Sequence, residues 1–249
     1  MQTYNFYSVV IGTELMNGRR EDKHFNFINK ALRDRGFKHF ANFMIVDDVI
    51  LMERVFEMIK NDPHSIMFCF GGIGSTPDDY TREIAAKVFT NNQSQTHPEA
   101  LRLILETFQD EAYPHRVKMA NLPLGASLLD NVVNKVPGFS LEERFFFAPG
   151  FPSMAWPMFS NILTTKFKPQ QQHYACSFFV EASENDLIDI MEALPHDIEL
   201  SSLPKIENNK KSVEIYLASK EQDYLHTWCQ FFQNEMKKLN ITFRHLKTI

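Results

Sequence analysis

Residues 65–82, SIMFCFGGIGSTPDDYTR, decide how the rest of the chain is read. Ile66 to Phe70 is an apolar run too short for a helix and bounded by a polar residue and glycines, which predicts a strand buried on both faces. Gly71, Gly72 and Gly74 follow at once, and an amphipathic segment starts at about Asp79. A strand, a glycine-rich turn and a helix N-terminus together make an anion site. The glycines let backbone N–H groups approach an oxygen-rich ligand, and the helix dipole adds partial positive charge. Thr76 and Asp78 are placed to cap that helix, and Pro77 stiffens its approach. The plain alternative is a tight strand-to-helix turn with a capping aspartate. Capping, however, does not require two adjacent carboxylates beside a phosphate cradle. Carboxylates repel phosphate unless a metal ion lies between them or one acts as a base. The stretch therefore predicts a phosphate site with metal or proton-transfer chemistry at its edge.

Working outward, Phe6 to Ile11 is a second short buried strand, followed by Gly12-Thr13-Glu14-Leu15 and then Gly18. Asp22 is placed to cap a helix with Phe25, Phe27, Ile28, Ala31 and Leu32 on its apolar face, and Gly36 is a natural stop. Residues 37–46 read as a strand of mixed polarity, as expected near a sheet edge, and Asp47-Asp48 opens a helix running to Asn61-Asp62-Pro63. The order β-α-β-α-β-α with short connections predicts an α/β fold, a mostly parallel sheet covered by helices on both faces. Ligands of such sheets sit at the carboxyl ends of the strands. That rule gathers Glu14, Asp47, Asp48, Asp78 and Asp79 around one crevice. An uncompensated cluster of this kind is costly, and a divalent metal, Mg²⁺ or Mn²⁺, would neutralise it and bridge to a phosphate.

Further on, residues 97–111 form an amphipathic helix with Pro98 in its first turn. Turn clusters at Pro123–Gly125 and Asn134–Gly138 flank a short strand. Phe145 to Ala148 is the last strand of the first domain, and apolar spacing from Met154 to Leu163 predicts a closing helix. Residues 166–172 read as a polar linker. Beyond it a βαββαβ order of strands at 173–181, 197–203, 212–218 and 241–246, with helices at 183–194 and 221–239, predicts a small ferredoxin-like α+β domain with a turn at Glu207-Asn208-Asn209-Lys210. The division is thus 1–168 and 169–249.

With 249 residues, 44% hydrophobic and 23% charged, the composition is that of an ordinary globular protein, and the 23 phenylalanines read as core filling. A net charge of −5, with 26 basic residues spread along the chain, argues against nucleic acid as a partner. No apolar run approaches membrane-spanning length, and the N-terminus has no basic region ahead of an apolar one. Cys69, Cys176 and Cys229 form no CxxC or CxxH pair, which predicts buried reduced thiols and a cytoplasmic chain.

The segment GGIGSTPDDYTRE resembles the GGxGxTPDDxTRE signature of the MoaB/Mog-type molybdopterin-binding family, in the form found at the N-terminus of CinA (competence/damage-inducible) proteins. The likeness extends to Gly12, Glu14, Leu15 and Gly18, to Asp22, to Val46-Asp47-Asp48, to Leu122-Pro123, Gly125-Ala126, Asn131 and Pro137-Gly138, and to Pro149-Gly150-Phe151-Pro152-Ser153. His24 takes a place usually held by Asn, as a metal ligand or as a polar group at the crevice rim. Ser75 replaces a Pro, Met119 a Gln, and Met154 stands where a Glu is expected. The resemblance implies a homodimer and a nucleotide or pterin ligand. Gly12, Glu14, Gly71, Gly72, Gly74, Ser75 and Thr76 would contact it, with Asn131, Pro137 and Gly138 opposite the glycine loop. It also implies metal-dependent hydrolysis of a nucleotide diphosphate such as ADP-ribose. Asp79, Asp78 and Asp47 would be the catalytic groups, and Glu14 a further metal ligand. The alternatives are a molybdopterin-binding protein of molybdenum cofactor biosynthesis and a catalytically silent nucleotide-sensing module. Full CinA proteins carry a further deamidase domain, whose activity is not expected here.

Overall fold

A computed structural model describes residues 4–170, 174–207 and 210–248. The two apolar runs become neighbouring inner strands. In chain order the first unit contains β1 (Asn5–Ile11), α1 (Thr13–Met16), α2 (His24–Arg33), β2 (His39–Ile45), α3 (Val49–Lys60), β3 (Ser65–Phe70), α4 (Thr81–Phe89), β4 (Ser94–Thr96) and α5 (Pro98–Phe108). It continues with β5 (Asn121–Pro123), β6 (Ser127–Leu129), β7 (Gly138–Leu141), β8 (Phe145–Ala148) and α6 (Pro152–Lys166). The main sheet has the order β2-β1-β3-β8-β7-β6. β2, β1, β3 and β8 run parallel, and β7 is antiparallel to both of its neighbours. β4 and β5 form a separate antiparallel pair.

Strand alternation divides the core cleanly. Val9, Ile11, Met67, Cys69, Phe145 and Phe147 join one cluster with Met52, Phe56 and Ile84 of α3 and α4. Phe6, Val10, Ile66, Phe68, Phe70 and Phe146 join the other with Ile28 and Leu32 of α2 and Phe159 and Leu163 of α6. Every residue of β3 is buried, as expected of a strand covered on both faces. β2 is one of the two edge strands of that sheet, and its partial exposure matches its mixed composition. Asp22 caps α2 by accepting from the His24 and Phe25 amides, and Gly36 follows that helix at φ +75°.

The chain divides into two compact units, Met1–Gln170 and Gln171–Ile249. The segment expected to be a linker is only partly one. Phe167 is buried against Phe6, its carbonyl accepts from Arg35 Nη2, and the Gln170 amide donates to the Arg35 carbonyl. A solvated linker was expected from the surrounding polar residues, but one aromatic side chain outweighs them. Residues 171–173 lie outside the described residues, as do Asn208 and Asn209 of the expected turn.

The second unit contains β9 (Tyr174–Val180), α7 (Ile188–Glu192), β10 (Glu199–Glu207), β11 (Lys210–Ser219), α8 (Gln222–Lys238) and β12 (Phe243–Thr248). Its antiparallel sheet has the order β10-β11-β9-β12, the ferredoxin-like arrangement. The expected helix at 183–194 is instead a 3-10 turn at Glu184–Leu187 followed by the short α7. Cys176 on β9 is disulfide-bonded to Cys229 on α8, so the expectation of three reduced thiols is corrected. Two cysteines 53 residues apart give no spacing signal, and only the packing of α8 on β9 brings them together. Cys69 is free and buried, and burial pushes its thiol pKa up. No helix among the described residues is long and apolar enough to cross a membrane.

Candidate functional site

The glycine turn leaves the carboxyl end of β3 and is held on three sides. Gly71 and Gly72 adopt φ +105° and +66°, where only glycine is comfortable. A Cβ on Gly71 would lie 2.3 Å from the Ile11 carbonyl oxygen, and one on Gly72 would lie 2.3 Å from Thr81 Oγ1. Gly71 N–H donates to Ala148 O at 3.1 Å, and the fully buried Thr81 hydroxyl donates to Gly71 O at 2.9 Å. Arg82 then spans the loop, donating from Nη1 to Ile73 O and from Nη2 to Gly74 O at 2.6 Å. With the carbonyls drawn to the guanidinium, the turn keeps its donors free. Among the described residues the N–H groups of Ile73, Gly74 and Ser75 meet no acceptor. Unpaired amides in a row attract an anion.

The aspartates serve this turn more directly than expected. Asp79 Oδ2 accepts from the Thr76 amide at 2.8 Å and from the Thr76 hydroxyl at 2.5 Å, closing the loop on itself. Nearness to the Thr76 hydroxyl, whose proton goes to Asp79, and the backbone amide of Asp78 itself hold the Asp78 carboxyl below the usual carboxylate range. Neither Thr76 nor Asp78 caps α4, correcting that expectation. The helix starts at Thr81, whose amide donates to Gly72 O, and its cap residue Tyr80 makes no side-chain bond. Asp47 Oδ2 accepts from the Thr13 amide and hydroxyl at 2.7 and 2.9 Å. Asp48 caps α3 by accepting from the Leu51 amide at 2.8 Å.

Glu14, Asp47, Asp78 and Asp79 all line one cavity of about 770 Å³. Asp48 is not in its wall, so the expected five carboxylates are four. Gly12, Gly71, Gly72, Gly74, Ser75, Thr76, Asn131 and Pro137 also line it, as do Met119 and Met154. Gly138 does not. It opens β7, where a Cβ would lie 2.4 Å from the Phe147 carbonyl oxygen, so its role is strand packing. Asn131 is 4% exposed and donates to Asn134 Oδ1 and Val136 O, holding the 131–136 loop that supplies Pro137. Among the described residues no three His, Cys, Asp or Glu side chains are grouped to hold a metal ion. One oxygen each of Asp47 and Asp79, Oδ2 in both, already carries a hydroxyl and an amide donor.

His24 lines the same cavity from within its wall and belongs to no metal-holding group among the described residues. It is 3% exposed, stacked on the Phe70 ring at 4.6 Å, with Nε2 3.2 Å from Gly150 O, and burial lowers its pKa. Arg20 and Lys23 line the cavity too, and sequence reasoning passed over both. The available signal was the dense charge of RREDKH, residues 19–24, directly after Gly18 of the family likeness. Arg82 was quoted only as a motif letter, because its partners are carbonyls and no side-chain pattern announces them.

A glycine turn with free amides at the carboxyl ends of a mostly parallel α/β sheet defines a class of α/β domain with an open, donor-rich turn at its ligand-side edge. The model of a family described as probable molybdopterin binding domain matches residues 8–169, and the chain belongs to that family. A putative competence-damage inducible protein of Alkaliphilus metalliredigens is 30% identical over 68% of this chain and 42% of its own length. A CinA-like protein of Nostoc punctiforme is 28% identical over 65% of this chain and 40% of its own. The chain thus spans about two fifths of the length of these relatives. The crystal structure of CinA from Thermoplasma acidophilum, a protein described there as of unknown function, matches at a TM-score of 0.60. It is 24% identical over 66% of this chain and 98% of that one, and it attests the fold.

Proposed function

We propose that the first unit binds a small molecule through a phosphate group, with a phosphorylated pterin of the molybdopterin class as its ligand. The observation that carries this reading is the run of unpaired amides at Ile73–Ser75, kept open by Arg82. The cavity volume suits a bicyclic ring with its phosphate, and the family description supports the pterin. A second reading, hydrolysis of a nucleotide diphosphate such as ADP-ribose, draws on the carboxylates beside the turn. Mg²⁺ sites commonly use one or two carboxylates completed by water and substrate phosphate oxygens. Asp79, Asp47 and Glu14 are the residues that would share such an ion, and the ion would supply charge neutralisation at the phosphate. A homodimer in solution belongs to the same proposal and is checked by light scattering.

The test pairs binding with turnover. Purified protein is titrated calorimetrically with a phosphorylated pterin and with ADP-ribose, with and without Mg²⁺ or Mn²⁺, and product formation is followed in parallel. Binding of the pterin without turnover supports the first reading. In Asp79→Asn the retained amide oxygen still accepts from Thr76, so binding should survive or tighten. Any hydrolysis should fall by about two orders of magnitude. Absence of binding to either ligand would overturn both readings.

A further inference from the structure

Among the side chains lining the cavity, Phe151 is a large apolar one left 58% exposed. Single exposed apolar residues are ordinary on protein surfaces, and on an open helix face this one would need no explanation. Its place is different. It follows Gly150, where an added Cβ would lie 3.3 Å from Gly71 Cα, so Phe151 stems from the backbone that packs on the glycine turn. That backbone is fixed. The Phe151 carbonyl accepts from the Met154 and Ala155 amides at 3.0 and 2.9 Å, and Pro152 opens α6 directly after it.

The ring is braced and has apolar company. Arg20 Nη2 donates to Gly150 O at 3.1 Å, and its guanidinium carbon lies over the Phe151 ring, 5.4 Å from the centroid. Phe108, Met119, Val136 and Met154, all half-buried, line the same cavity. Their elements are tied together: the Thr107 hydroxyl donates to Asn134 O at 3.2 Å, and Asn134 Nδ2 lies 3.7 Å from Met154 Sδ. The cavity thus joins an apolar wall to a donor-rich turn.

We infer that Phe151 is the ring-stacking residue of this cavity, selecting phosphate esters that carry a planar heteroaromatic ring, with the phosphate in the turn and the ring against Phe151. The inference rests on the turn being a phosphate site, and it adds to that reading the residue that recognises the ring. A flat π face gains from offset stacking on an aromatic side chain, whereas a sugar phosphate has nothing to place there. Arg20 reinforces the choice, because a guanidinium stacks on aromatic faces as well.

The experiment compares AMP with ribose 5-phosphate by calorimetry, two probes that share a phosphate and differ in the ring, with thermal melting as a fold check. Wild type should bind AMP at least about tenfold more tightly than ribose 5-phosphate. Phe151→Ala should lose about tenfold for AMP and no more than about twofold for ribose 5-phosphate, and Phe151→Trp should restore the preference. The ultraviolet absorbance of the adenine should fall on binding to wild type and not to Phe151→Ala, a difference that loosened packing alone would not produce. Equal affinity of wild type for the two probes, an AMP preference that survives in Phe151→Ala, or equal losses for both would overturn the stacking residue alone. Failure of wild type to bind AMP, ribose 5-phosphate or inorganic phosphate would overturn the phosphate reading as well.

Discussion

The two units solve the same stability problem differently. The larger one buries an aromatic-rich core on each face of its sheet, with Phe68 stacked on Phe146 on one side and Phe139 on Phe147 on the other. The smaller one packs α7 and α8 around Phe178, Ile215 and Phe232 in a single cluster, leaves β10 exposed along nearly its whole length, and adds the Cys176–Cys229 crosslink. A short chain buries a smaller fraction of its surface, and a covalent staple offsets that shortfall. The difference teaches that site and staple belong to separate units, so perturbing either should be read out separately.

Gly71→Ala should break the comparison most severely. The added methyl meets the Ile11 carbonyl at a backbone angle alanine resists, and neither strand can retreat. A loss above about 4 kcal/mol is expected for the first unit. Calorimetry should show its transition abolished or strongly lowered, with that of the second unit in place. Reduction, or Cys176→Ser with Cys229→Ser, should cost the second unit about 2–4 kcal/mol and leave the first unmoved. A reductant that shifts both transitions equally would contradict the independence of the units.

Caps allow a finer comparison. Asp48→Ala should lower the first transition by about 1 kcal/mol, and Ser183→Ala, which breaks the capping box Ser183 forms with Asp186, should lower the second by a similar amount. Acidification is expected to be the mildest probe. Burial depresses the pKa of His24 and His39, so their neutral forms are favoured in the folded state. Their contribution is complete above the unfolded value of about 6.5 and is lost as pH falls below it. Denaturant melts at pH 7.5 and 5.5 should show a small loss in the first unit. Replacing both histidines by Gln should remove it.

Much of this was legible in the sequence because it rests on short-range pattern. Buried runs such as 66–70 have no reading other than inner strands, and Asp22 and Gly36 mark the ends of α2 by their own chemistry. The glycine turn was visible for the same reason. What escaped depends on long-range partners. Asp48 and Asp47 are adjacent letters, yet one caps a helix and the other lines the cavity, a distinction made by Thr13 from another strand end. The roles of Arg82, Arg20 and His24 are set by carbonyl oxygens, which every residue has and which no alphabet records. Phe167 looked like part of a linker because its partners Phe6 and Arg35 lie far upstream.

The contact between Gly71 and the β8 end has a consequence for how the protein is made. A growing chain releases its glycine turn early, while Ala148, which receives the Gly71 amide, and Gly150, which receives Arg20 and His24, emerge much later. Domains generally complete as units during synthesis. Until β8 slots in beside β3, the turn lacks one of its walls. A ligand held by the turn would therefore stabilise only the finished domain, and chains cut short before residue 150 would gain nothing from it.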